Sequence, residues 1–264
     1  MSNFVRLLIE YCLQMAFTLG IVFLFGKVIA LCNGGFYNAL GSKGRAVCYA
    51  TGFIGTPIHE SAHALMCLVF GHKIVEIKFF QMNSSDGTLG YVSHSYNPKN
   101  LWQRLGNLFI GVAPILVGAG VLCLLLYLML PEMFTKVIDI LINIDIGGEP
   151  IGALKSIGKS FAVMFGYIDH WQWWLFLLVG SFIALHMTLS DADTKGALSG
   201  VIFFLIIFLV VDVLLILINP ALLSKFTGGI SVFGNFMIFF FCIFLVIALT
   251  LLCIAKILAK VLHF

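Results

Sequence analysis

Six long apolar runs dominate this chain, at about 7–31, 46–70, 105–130, 171–190, 198–218 and 232–258. Crossing the hydrocarbon core of a bilayer takes about 20 apolar residues. Inside lipid a spanning segment must satisfy its own backbone polar groups, so runs of this kind fold as helices. They predict an all-α membrane protein with about six transmembrane helices, forming a single polytopic domain over residues 1–264. Composition agrees, because 61% of the residues are hydrophobic and only 10% charged, against about 25% charged in an ordinary soluble domain. A disordered or nucleic-acid-binding chain is excluded on the same grounds. The first run has no small-residue cleavage site near its end and reads as a retained helix rather than a removed signal. No two of the seven cysteines lie within three positions of each other, so they read as small apolar residues rather than a disulfide framework.

Two stretches between the runs are informative. In residues 72–97, Ile74–Phe80 and Thr88–Ser95 are rich in strand formers and flank the turn-forming Asn83-Ser84-Ser85-Asp86-Gly87. A short β-hairpin after the second span is predicted there. In residues 131–168, Phe134, Val137, Ile138 and Leu141 share one helical face. Leu154, Ile157, Phe161 and Met164 share another, after a break at Gly147-Gly148-Glu149-Pro150. These predict two amphipathic helices lying in the membrane interface between the third and fourth spans. Trp171, Trp173 and Trp174 then read as an aromatic belt at the start of the fourth span. Basic residues divide almost evenly between the two sides of this arrangement, which leaves its orientation in the membrane open.

Ionisable residues inside a membrane span are costly and mark function by default. The second run contains His59-Glu60-Ser61-Ala62-His63, an H-E-x-x-H pattern. On a helix the two histidines lie one turn apart on the same face. Two imidazoles so placed bind one Zn2+, and the glutamate between them serves as general base toward a water activated by the metal. Small residues Ser61, Ala62 and Ala64 allow a neighbouring helix to come close. Pro57, after Gly52 and Gly55, points to a local irregularity in this helix.

In this order of parts the chain resembles the site-2 protease family of intramembrane zinc metalloproteases. The resembling features are His59-Glu60-Ser61-Ala62-His63-Ala64 in a span, Gly71 eight residues on, a short β-rich segment, and then Gly111-Val112-Ala113-Pro114 in the next span. The last of these stands where the family has an Ala-Gly-Pro-like stretch. The resemblance implies a third zinc ligand, an aspartate from an L-D-G-type motif in a later span. The corresponding stretch here is Leu189-Ser190-Asp191-Ala192-Asp193-Thr194-Lys195-Gly196.

Ligand chemistry narrows the choice, since a catalytic zinc keeps three protein ligands and one open position. His72 and His94 belong to the hairpin, a wet and mobile place for a ligand. Glu10 and Asp212 stand alone in other runs, as packing or gating residues. His186, Asp191 and Asp193 form the compact group, and the seven-residue spacing of His186 and Asp193 would align them on a continuous helix. Asp193 is the preferred ligand, also because Gly196 follows it as in the family motif; Asp191 and His186 are the alternatives.

The expected function is an intramembrane zinc endopeptidase with His59, His63 and Asp193 on the metal and Glu60 as the catalytic base. Its expected substrate is a membrane-embedded peptide or single-span membrane protein, unwound beside the hairpin edge by strand addition. Its expected place is the lipid bilayer, as a multi-pass protein of a bacterial cell membrane. Two other readings use the same residues: a metal-ion or proton transporter, and a non-catalytic zinc-binding relative.

Overall fold

A computed structural model describes residues 2–82, 84, 87–143 and 150–262. Helix α1 (Asn3–Met15) starts on Ser2, whose hydroxyl accepts the Val5 N–H. It passes through a π-helical turn (Ala16–Gly20) into α2 (Ile21–Ala39), giving one helical stretch from Asn3 to Ala39. A 3-10 turn (Gly41–Lys43) leads to α3 (Gly44–Val69). The hairpin follows as β1 (Lys73–Lys78) and β2 (Tyr91–Ser95), then come α4 (Leu101–Met129), α5 (Pro131–Ile142), α6 (Pro150–Phe165) and α7 (Trp171–Ala184). The last helices are α8 (Asp191–Ile218) and α9 (Pro220–Leu262). Their junction is chemically explicit: the Asn219 side chain accepts the Ala221 N–H, and Pro220 occupies the first helical position.

Four helical stretches among the described residues are long and apolar enough to cross a membrane: Asn3–Ala39, Leu101–Met129, Asp191–Ile218 and Pro220–Val261. The expected second span falls on α3, 26 residues long, which is not one of these four, its H-E-x-x-H and neighbouring polar residues diluting its apolar character. The expected fourth span falls on α7, Trp171–Ala184, an apolar helix of only 14 residues that is also not one of the four. The helix α3 runs unbroken through Pro57, so the expected irregularity there does not occur. The hairpin is antiparallel, with Lys73 opposite Ser95 and Lys78 opposite Tyr91, and a bulge between Ile74 and Glu76. Asn83, Ser85 and Asp86 of the expected turn lie outside the described residues, as do Gly147, Gly148 and Glu149 of the expected break.

The chain forms two compact units. Unit 1 comprises Met1–Phe23, Leu122–Leu177 and Leu205–Phe241. In it Met133, Val137 and Leu141 of α5 and Ile157 and Met164 of α6 are buried, while Lys136, Asp139, Lys155 and Lys159 face outward. Both helices are thus present with a buried apolar face, but Leu154, expected on that face of α6, is exposed. Trp171 and Trp174 are exposed, but Trp173 is buried and stacked on Phe176, a core residue rather than part of a belt. Unit 1 also buries Asp212 and Gln14, with Gln14 donating at 2.9 Å to both Asp212 and Thr227.

Unit 2 comprises Leu24–Val121, Leu178–Phe204 and Cys242–Phe264, and it holds every residue of the H-E-x-x-H, the hairpin and the 186–196 stretch. Its interior includes Ile29, Leu108, Ala113, Ile115, Met187 and Phe244. Helix α7 ends at Ala184 and α8 begins at Asp191, leaving residues 185–190 outside any helix. Freed carbonyls at this break are taken up by side chains. The Asn33 amide donates to the Ala184 carbonyl at 2.8 Å, as buried backbone in a membrane requires.

Candidate metal centre

The site grows from one helical turn of α3. His59 and His63 present their Nε2 atoms 3.1 Å apart. Each ring is fixed from behind by a backbone carbonyl. His59 Nδ1 lies 2.7 Å from the His186 oxygen, and His63 Nδ1 lies 2.8 Å from the Ile110 oxygen. A carbonyl can only accept, so both Nδ1 atoms carry the hydrogen and both Nε2 atoms of the neutral rings present lone pairs. This arrangement of outer partners orients imidazoles toward a metal.

Asp193 closes the group. One carboxylate oxygen lies 3.2 Å from His63 Nε2 and the other 4.0 Å from His59 Nε2. The aspartate is held there by local chemistry at the start of α8. Ser190 accepts the Asp193 N–H at 3.1 Å, and Asp193 accepts the Ser190 N–H at 2.8 Å. This is a reciprocal capping box with aspartate at its third position. The box fixes the carboxylate without exhausting its lone pairs.

His59, His63 and Asp193 therefore form a group that could hold a metal ion. Two of its separations, 3.1 Å between the histidine nitrogens and 3.2 Å from His63 to Asp193, are close to the roughly 3.3 Å between ligand atoms of a tetrahedral ion with bonds of about 2.0–2.1 Å, while Asp193 lies farther from His59, at 4.0 Å. Two nitrogen lone pairs and a carboxylate converging on one point repel one another unless positive charge sits among them.

The other candidates fall elsewhere. Asp191 is exposed at the first turn of α8 and lies outside the group. His186 turns its ring away from the centre: its Nε2 lies 2.9 Å from Thr51 Oγ1, whose own hydrogen goes to the Val47 carbonyl. The contribution of His186 to the centre is its backbone oxygen. The helical-face argument for Asp193 fails, because the chain is broken between His186 and Asp193; the capping box and the close packing of α4 on α8 bring Asp193 in instead. That packing rests on Gly111, where a Cβ would collide with the Asp193 carbonyl oxygen and with Ala197.

Glu60 is buried and lines a cavity of about 440 Å³ together with His59, His63 and Asp193. The hairpin forms the opposite wall through Gly90, Val92 and His94 of the same cavity. Gly90 lets it close, since a Cβ there would meet Thr56 and Glu60 side-chain atoms at 2.8 and 2.9 Å. Sequence reasoning set His94 aside and did not single out Ser190 or the buried Asn107 of α4, all of which line the cavity. Asn107 had a readable signal, being a lone amide one turn before Gly111 in an apolar run. No protein-family model, curated protein or solved structure matches this chain.

Proposed function

We propose that this chain is an intramembrane zinc metalloendopeptidase that hydrolyses a peptide bond in or near a transmembrane segment. The observation that carries the reading is the convergence of two tautomer-fixed imidazoles and a capped carboxylate beside Glu60, in one cavity. A zinc ion bound by His59, His63 and Asp193 supplies Lewis acidity and activation of water.

The chain's own residues do the rest. Glu60 takes a proton from the attacking water at its carboxylate and returns it to the leaving nitrogen. The His186 and Ile110 carbonyls keep both rings in the metal-binding tautomer. The outer edge of β2, beside the cavity, offers backbone partners to a substrate stretch that has left its helix. In this reading α3 and α7 join the four long apolar stretches to give six spans, and α5 and α6 lie in the interface. The substrate is a membrane-embedded peptide or single-span protein.

The test combines metal and cleavage. Protein purified in detergent without chelators is expected to hold about one zinc per chain and to cleave members of a panel of single-span peptides, detected by mass spectrometry. Glu60→Gln is expected to keep the zinc and lose the cleavage. Equal cleavage by Glu60→Gln, or protein without zinc, refutes the reading.

A further inference from the structure

The hairpin brings His94 to the cavity wall, with His72 behind it. His72, just after α3, is only 4% exposed, and its Nε2 lies 2.7 Å from the Gln103 carbonyl oxygen. That nitrogen therefore carries a hydrogen. The His72 ring is stacked on Tyr96, 5.1 Å between centroids and 18° between planes, so it has no room to swing. Its Nδ1 faces the Nδ1 of His94 at 3.0 Å. In neutral His72 that Nδ1 is a lone pair, so the hydrogen between the two rings belongs to His94. The tautomer of His94 follows: Nδ1–H toward His72, and a lone pair at Nε2.

His94 lines the same cavity as His59, Glu60 and His63. The β1 bulge between Ile74 and Glu76 lies where β2 carries Ser93 and His94, and bulges beside active sites re-aim side chains. Burial, and then the His72 and His63 imidazoles, hold the His94 ring below the usual histidine range. His72 and His63 are its ionisable neighbours, and Glu60, Asp193 and Tyr91 line the same cavity.

Resting on the peptidase reading, we infer that His94 is a second proton-transfer residue of this cavity, an acceptor complementary to Glu60, and that His72 positions it. Its step is the collapse of the tetrahedral adduct. The C–N bond breaks with its electron pair going to nitrogen, and nitrogen takes the proton held by Glu60. The oxyanion re-forms the carbonyl, and His94 Nε2 takes the proton of the remaining hydroxyl. The products are an amine and a carboxylate, and His94 then releases its proton to water. An oxyanion-stabilising role would need a donor at Nε2, which the His72–Gln103 relay does not provide.

The test uses a single-span peptide that the wild type cleaves and Glu60→Gln does not. His94→Ala is expected to lower kcat about 100-fold, with KM and zinc content little changed. Added imidazole, at a concentration that leaves the wild-type rate and zinc content unaltered, is expected to restore part of the loss. His94→Asn, which keeps an acceptor but cannot carry a proton, is expected to be as slow as His94→Ala. His72→Gln can still accept from His94 and is expected to keep most of the rate, whereas His72→Leu loses it. In metal-free protein, ¹⁵N spectra are expected to show His94 protonated at Nδ1 and bare at Nε2. A wild-type kcat in His94→Ala, a loss confined to KM, or a protonated Nε2 overturns the inference and leaves the peptidase reading standing. If the wild type cleaves none of the peptides, the peptidase reading falls, and this inference with it.

Discussion

Gly111→Ala is expected to weaken metal binding although residue 111 touches no metal-binding atom. A methyl at this position would fall on the Asp193 carbonyl oxygen, 2.7 Å from the Ala197 Cβ and 2.9 Å from the Ala197 nitrogen. Most of this obstruction is backbone, so no side-chain rotation relieves it. The first turn of α8 must retreat by about 1 Å, whereas a site of this kind works only within about 0.5 Å of its productive geometry. Overpacking of this kind costs about 1–3 kcal/mol. Since 1.4 kcal/mol is tenfold in an equilibrium constant, the retreat of Asp193 should lower zinc affinity roughly 10- to 100-fold. Gly196→Ala is the control on the same helix. A Cβ there meets open space, and alanine gains roughly 0.5–1 kcal/mol of helix stability over glycine. Competitive titration against a chromogenic chelator, in detergent, measures both variants, with thermal unfolding run alongside. Gly111→Ala within twofold of wild type, or Gly196→Ala losing as much, would show that α4–α8 packing does not position Asp193.

His59→Ala or His63→Ala should lose zinc, because one imidazole and a carboxylate remain; elemental analysis reads this directly. Asp193→Asn should weaken zinc binding strongly, whereas Asp191→Asn, exposed and outside the group, should change it little. Helix-breaking Gly or Pro in the scissile region of a substrate span should raise its cleavage rate by lowering the cost of unwinding, checked by matched Leu-substituted peptides. Gln14→Leu should destabilise the protein by about 1–3 kcal/mol, because it strips the hydrogen bonds from the buried Asp212 and Thr227; thermal unfolding with and without zinc reads the effect.

Most of the fold was legible because membranes leave few choices. Long apolar runs become helices, so each of the six runs corresponds to helical structure, and the turn chemistry of 72–97 correctly announced a hairpin. The runs at 46–70 and 171–190 read as spans, but among the described residues α3 and α7 fall outside the helices long and apolar enough to cross a membrane, since polar residues dilute one and the other has only 14 residues. Trp173 looked like its neighbours in sequence, and only the packing against Phe176 separates it from Trp171 and Trp174.

The site was legible to the extent that its residues are local. His59, Glu60 and His63 sit within five positions, and helical periodicity alone puts the two rings together. Asp193 was singled out partly on a periodicity that the broken chain does not have. Its real determinant is a serine three residues earlier, and S-x-x-D just before an apolar run is a capping signal that the sequence does display. The backbone carbonyls of His186 and Ile110 were beyond reach, since every residue carries one and only the fold decides which it aims at a ring. The same holds for His72 and His94. Twenty-two positions apart, they looked wet and mobile; the fold buries His72 and places His94 in the cavity lining. Ligand types can thus be read from spacing, but the atoms that fix their tautomers come from packing. The tautomers in turn decide whether each ring can bind a metal or accept a proton.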